Sequence, residues 1–145
     1  MAEHGRPVWD NIPRIDAADL ASIHCRSIAD ATGRRVMGES EGVYATKRRE
    51  TIAEAPNLRV RLLVLGEGQC VPWHYHNNIT DTFFCMEGPM QVTTRNPHKV
   101  HVLAPGGTCA VEPGTPHLVT GVDDGPCQFI VVQGVGVYDY VPADD

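Results

Sequence analysis

A chain of 145 residues, 42% hydrophobic and 21% charged, has the composition of one ordinary globular domain and not of a disordered segment. Its formal net charge of −6 argues against a nucleic-acid or anionic-membrane surface, which needs concentrated lysine and arginine. The one dense basic run, Lys47-Arg48-Arg49, is too short to change that and reads as a solvated strand face.

In chain order, residues 1–15 are punctuated by Pro7 and Pro13 and read as an irregular arm, with Trp9 able to pack on the remainder or on a second subunit. The start MAEHGRPVWDN lacks the apolar core of a signal peptide, and no later apolar run approaches the roughly 20 residues of a membrane span, so the expected location is cytoplasmic. Residues 16–31 predict one helix, capped by Asp16, with Leu20, Ile23, Ser27 and Ile28 at helical spacing and Gly33 as its stop. From Val36 onward the texture changes to short β-prone runs. Strands are expected near 42–52, 58–65, 70–76, 81–87, 90–95, 99–103, 108–112, 117–121 and 127–138, separated by turn clusters such as Pro56-Asn57, Gly88-Pro89, Pro105-Gly106-Gly107 and Pro113-Gly114. Many short strands with regular turns and no intervening helices predict an all-β antiparallel sandwich or barrel. The expected organisation is an arm and helix over 1–35, a β-barrel over 36–140 and a frayed acidic tail over 141–145.

The five cysteines, Cys25, Cys70, Cys85, Cys109 and Cys127, are odd in number and form no CxxC pair, so all five are expected to act as small buried hydrophobes.

The stretch from Gly68 to Gly88 carries the chemistry. His74 and His76 sit two apart, which on a strand places both imidazoles on one face about 7 Å apart. Asp81 follows across the turn at Asn77-Asn78, and a hairpin returns it to them; His117 closes the set from a distant strand. Three imidazoles and one carboxylate with positions left open suit a divalent Fe, Mn, Ni, Co or Zn ion, whereas a closed structural zinc site more often uses cysteine pairs. HxH alone carries little weight among seven histidines in 145 residues; the combination carries more. By alternation from Asp81, Phe83 is an apolar wall, and Cys85 lies about 13 Å along the strand, too far to share an ion. Trp73 and Tyr75 face the other way. Gln91 and Arg95 are candidates for reaching a polar substrate, with an exposed strand position the plainer reading of Arg95. His98 and His101, three apart, fall on opposite faces and make a poor second pair.

These spacings resemble the cupins. Their first motif, G-x5-H-x-H-x3,4-E-x6-G, matches Gly68, His74, His76 and Gly88, with Asp81 in place of Glu; their second, G-x5-P-x-G-x2-H-x3-N, matches Gly106, Gly114 and His117, with Glu112 in place of Pro and Gly121 in place of Asn. The resemblance implies a double-stranded β-helix, or jelly-roll, barrel, commonly dimeric, in which His74, His76 and His117 ligate a metal and Asp81 stands at the carboxylate position. Asp is one methylene shorter than Glu, so its oxygens fall about 1.5 Å short on the same backbone. Either the strand shifts and Asp81 ligates, or three histidines hold the ion while Asp81 stays close by and orients a histidine or a water.

The resulting functional expectation is a metal-dependent enzyme on a small organic substrate, foremost a non-haem dioxygenase. The alternative is an isomerase, dehydratase or lyase with Asp81 or a metal-bound hydroxide as base. A non-enzymatic ligand-binding module lacks an attached DNA-binding segment in this chain, and a purely structural barrel would have had no need of all three histidines. Neither a G-x-S-x-G elbow nor a phosphate-binding glycine loop is present.

Overall fold

The computed structural model describes residues 44–144; the arm and the helix expected over 16–31 lie outside them. The described chain is all-β, with ten strands: β1 (Arg48–Ala55), β2 (Leu58–Leu65), β3 (Cys70–Tyr75), β4 (Thr80–Glu87), β5 (Met90–Thr94), β6 (Lys99–Leu103), β7 (Thr108–Val111), β8 (His117–Gly121), β9 (Cys127–Gly134) and β10 (Val141–Pro142). They form two antiparallel five-stranded sheets, ordered β1-β2-β9-β4-β7 and β10-β3-β8-β5-β6.

Period-two alternation explains most of this. In β9 every second residue from Cys127 is buried, and in β2 the buried set is Arg61, Leu63 and Leu65. These inward positions meet Val71, Val92 and Val119 from the opposite sheet in one core, centred on Phe129 at 0% exposure. Phe129 stands edge-to-face on Phe83, with ring centroids 5.7 Å apart, a geometry that places the positive ring edge against the negative face.

The largest departures from the sequence expectation are in the edge strand and the central strand of the first sheet. β1 is shifted along the chain from the expected 42–52, because it is an exposed edge strand whose position is set by its register on β2 (Ala55 opposite Leu58 across Pro56-Asn57) and not by burial periodicity. β9 stops at Gly134, not at 138. The β-prone residues that follow leave the sheet because other partners hold them: Gly136 N–H donates to the Asn57 carbonyl at 2.8 Å, and the Asp139 carboxylate accepts from Asn77 N–H and Asn77 Nδ2 at 2.9 and 2.7 Å. The chain then returns to the second sheet, where Val141 pairs with Tyr75 and Pro142 with His74, so these two residues of the supposed frayed tail form an edge strand.

Cys85, Cys109 and Cys127 are free thiols whose ionisation burial disfavours, with Cys109 pushed up to about 11 and Cys127 to about 12. Cys70 departs from the all-packing expectation: it is disulfide-bonded. No helix among the described residues is long and apolar enough to cross a membrane.

Candidate metal centre

His74 on β3 and His117 on β8 are direct cross-strand partners in the second sheet. His76 follows β3 by one residue, and Asp81 opens β4 in the facing sheet, opposite Gln133 of β9. The site therefore lies between the sheets. All four residues are at most 2% exposed, and one ligand atom from each lies within 4.8 Å of the others, so the group could hold a metal ion.

The turn before β8 aims His117. Gly114 has φ +77°, a left-handed conformation that an L side chain rarely adopts, and its N–H donates to the His76 carbonyl at 2.7 Å. That bond ties the turn to the strand carrying the other two histidines.

Each imidazole is oriented by its back nitrogen. Nδ1 of His74 donates to the Pro72 carbonyl at 2.6 Å, Nδ1 of His117 to the Thr115 carbonyl at 2.9 Å, and Nδ1 of His76 to the Asp139 carbonyl. A carbonyl only accepts, so the proton sits on Nδ1 and the lone pair of each neutral ring is on Nε2. All three Nε2 atoms converge on one carboxylate oxygen: Asp81 Oδ2 lies 2.9 Å from His76, 3.0 Å from His117 and 3.9 Å from His74. The other oxygen, Oδ1, accepts from Gln133 Nε2 at 3.1 Å. The shorter Asp side chain thus reaches the imidazoles.

Burial alone would raise the Asp81 pKa, but in the metal-free site hydrogen bonding from His117, His74 and His76, which needs a proton on Nε2 as well, outweighs it and holds the carboxyl well below its usual range. The histidines diverge. Burial pushes His74 down to about 4 despite the pull of Asp81, whereas for His76 the Asp81 hydrogen bond and charge, with the Asp139 carbonyl, overcome burial and raise the pKa.

Beside this group, lined by His74 and Asp81, lies a chamber whose wall includes Phe83, as alternation predicts, and also residues that alternation was not used to place. Tyr140 stacks on His74, with centroids 4.6 Å apart and planes 15° apart, and Tyr138 lies 5.4 Å from His76. Arg59, Arg61 and Gln133 complete the polar lining. The arginines were detectable: they share the inward phase of Leu63 and Leu65 in LRVRLLVL. The tyrosines were not, because they arrive on the non-strand segment after Gly134. Of the other expected residues, Gln91 is buried and donates to Thr93 Oγ1 at 3.1 Å. Arg95 stacks on Trp73, 3.7 Å from its ring centroid, and donates to the Asp144 carbonyl. Neither lines the chamber. His98 and His101 stand outside the four-residue group.

Two antiparallel sheets enclosing imidazoles and a carboxylate between them make a double-stranded β-helix barrel with a site at its interior. Residues 61–133 match the Cupin_2 family, described as a cupin domain, and the chain belongs to that family. No curated protein matches it. Among solved structures it is similar to an uncharacterized conserved protein with a double-stranded β-helix domain from Klebsiella pneumoniae subsp. pneumoniae MGH 78578, with TM-score 0.59 and 22% identity over 68% of this chain and 84% of that one. It is also similar to a recombinant oxalate oxidase in complex with glycolate (TM-score 0.54, 18% identity, 59% and 46% covered). The DMSP lyases RdDddP and RnDddQII give TM-score 0.51 and 25% identity, with 60% and 44% covered. This chain spans less than half the length of the oxalate oxidase and lyase chains.

Proposed function

We propose that this barrel is a metal-dependent enzyme acting on a small organic substrate, with one divalent transition-metal ion held by His74, His76, His117 and Asp81. The observation that carries this reading is the donor set. Three Nε2 lone pairs and a carboxylate oxygen meet in a buried space, and four acceptors facing one another repel unless a cation or extra protons lie among them. Two of the spacings suit a cation. Donors about 2.1 Å from an ion and at right angles to each other lie about 3.0 Å apart, which agrees with the 2.9 and 3.0 Å from Asp81 Oδ2 to His76 and His117. The 3.9 Å to His74 suits a wider angle.

Such an ion would supply Lewis-acid chemistry or, if it is iron, activation of dioxygen. The surrounding residues orient and exclude water. Gln133 fixes the carboxylate, the three carbonyls fix the rings, and Tyr140 covers His74. Asp81 Oδ2 faces the Nε2 atoms of His76 and His117 and its Oδ1 is held by Gln133, so both oxygens are committed, which favours Asp81 as ligand over Asp81 as base. It tilts the reading toward dioxygenation and away from lyase or isomerase chemistry that would need that base.

Metal analysis of the purified protein, followed by oxygen uptake by the iron-loaded form with diketones, catechols and thiols, tests the assignment; a protein that neither carries nor takes up a first-row metal would refute it. For Asp81→Ala we expect metal affinity to fall by at least about 10- to 100-fold, and for Asp81→Glu binding to be retained. Unchanged affinity in the alanine variant would remove Asp81 from the ligand set.

We also propose a homodimer through the outer face of the first sheet. Leu62, Ile130 and Phe84 form one cross-strand row there, and Phe84 and Met86 are 40% and 44% exposed. Apolar rows of this kind on a sheet face favour burial against a matching surface, and a second copy supplies one by symmetry. Light scattering after gel filtration should give twice the chain mass for wild type and a monomer for Phe84→Glu; a wild-type monomer at tens of micromolar would contradict it.

A further inference from the structure

We propose that the substrate is a small organic anion, a carboxylate, and that Arg59 is the residue that recognises it. The inference rests on the metal-site reading above and extends it to the substrate class.

Arg59, Gln133 and Asp81 are cross-strand partners in a single row over β2, β9 and β4. Their side chains form a continuous chain: Arg59 Nε donates to Gln133 Oε1 at 3.0 Å, and Gln133 Nε2 donates to Asp81 Oδ1 at 3.1 Å. The guanidinium carbon sits over Tyr138, 3.5 Å from its ring centroid, so the ring and the glutamine together restrain the side chain. A guanidinium restrained in this way is suited to a carboxylate, which its planar fork can meet with two parallel hydrogen bonds.

Position and charge select the ligand. Arg59, Gln133 and Tyr138 line both the inner chamber and an adjoining outer hollow of about 240 Å³. The inner space is about 20 Å³, room for about one water. The ligand therefore occupies the outer hollow with its anionic end at Arg59, and the chamber admits at most a single atom of it. Arg59 lines the chamber, and Asp81 is the one carboxylate that lines it among the described residues. A divalent ion held by Asp81 and the histidines would make the space beside Arg59 cationic, and a water-poor cationic space attracts an anion strongly. Glu54, opposite Arg59 on β1, lines the outer hollow only, so the potential directs the anionic end away from Glu54, to the face of Arg59 nearer the metal centre.

Calorimetric titration of metal-free and zinc-loaded protein with malonate and with malonamide, a neutral analogue of similar size, tests this. Malonate should bind both forms, more tightly with zinc, and malonamide at least about tenfold more weakly. Arg59→Met should weaken malonate binding at least about tenfold, with Arg59→Lys in between, and thermal melts report whether each barrel is intact. Equal binding of the two probes, no malonate binding to either form, or wild-type malonate affinity in a folded Arg59→Met protein would overturn the proposal. Zinc uptake is read before any anion is added. Its failure counts against the metal-site reading, and the metal-free malonate titration then decides the anion assignment separately.

Discussion

His117→Ala should weaken divalent-metal binding by more than about 100-fold, exceeding the 10- to 100-fold loss typical of residues that only support a ligand. His117 is 1% exposed, its Nδ1–H is committed to Thr115, and its Nε2 stands 3.0 Å from Asp81 Oδ2. Removing it leaves His74, His76 and Asp81 without the donor from β8, and nothing else in the four-residue group can take its place. The loss also removes a ring tilted against His74 at 4.2 Å, so the remaining imidazole is freer to turn. Competition with a chromogenic chelator would measure the change, and His117→Gln, which keeps much of the volume, separates a missing ligand from a loosened barrel. Wild-type affinity in a folded alanine variant would mean that the ion, if bound, is not bound here.

Phe129→Ala carries the largest expected cost in stability, about 3–5 kcal/mol, the range for deleting a buried aromatic side chain. Phe129 has no exposed surface, holds Phe83 edge-to-face and lines the floor of the chamber. The cavity would open beside the strand that carries Asp81, since Phe129 pairs with Cys85 of β4. Denaturant unfolding should therefore show a lower midpoint together with weaker metal retention. A loss below about 1 kcal/mol would show that the surrounding side chains collapse into the space.

Much of the barrel was legible in the chain itself. β2, β6 and β8 fall on 58–65, 99–103 and 117–121, because half-buried strands bounded by Gly and Pro turns write their ends into the sequence. The edge strand β1 did not, since an exposed strand carries no burial period and takes its place from its partner. The grouping of His74, His76, Asp81 and His117 was also legible, from a two-residue step, a hairpin and one spacing to a distant strand. Arg59 and Arg61 could have been placed inside by their phase with Leu63. Tyr138 and Tyr140 could not, because their segment reads as a continuation of β9.

The hairpin from Gly68 to Gly88 and the partner at His117 are thus properties of the sequence: spacing along strands decides which side chains share a face. Whether the short Asp81 side chain meets the imidazoles was a property of the fold. It depends on how far β4 stands from β3 and β8, a separation set by side chains between the sheets, such as Phe83, Phe129 and Val119. The same holds for the walls of the chamber. Asp139 binding Asn77, and Gly136 binding Asn57, draw the chain off β9 and over the histidines, and such contacts between residues far apart in the chain exist only once the barrel has closed.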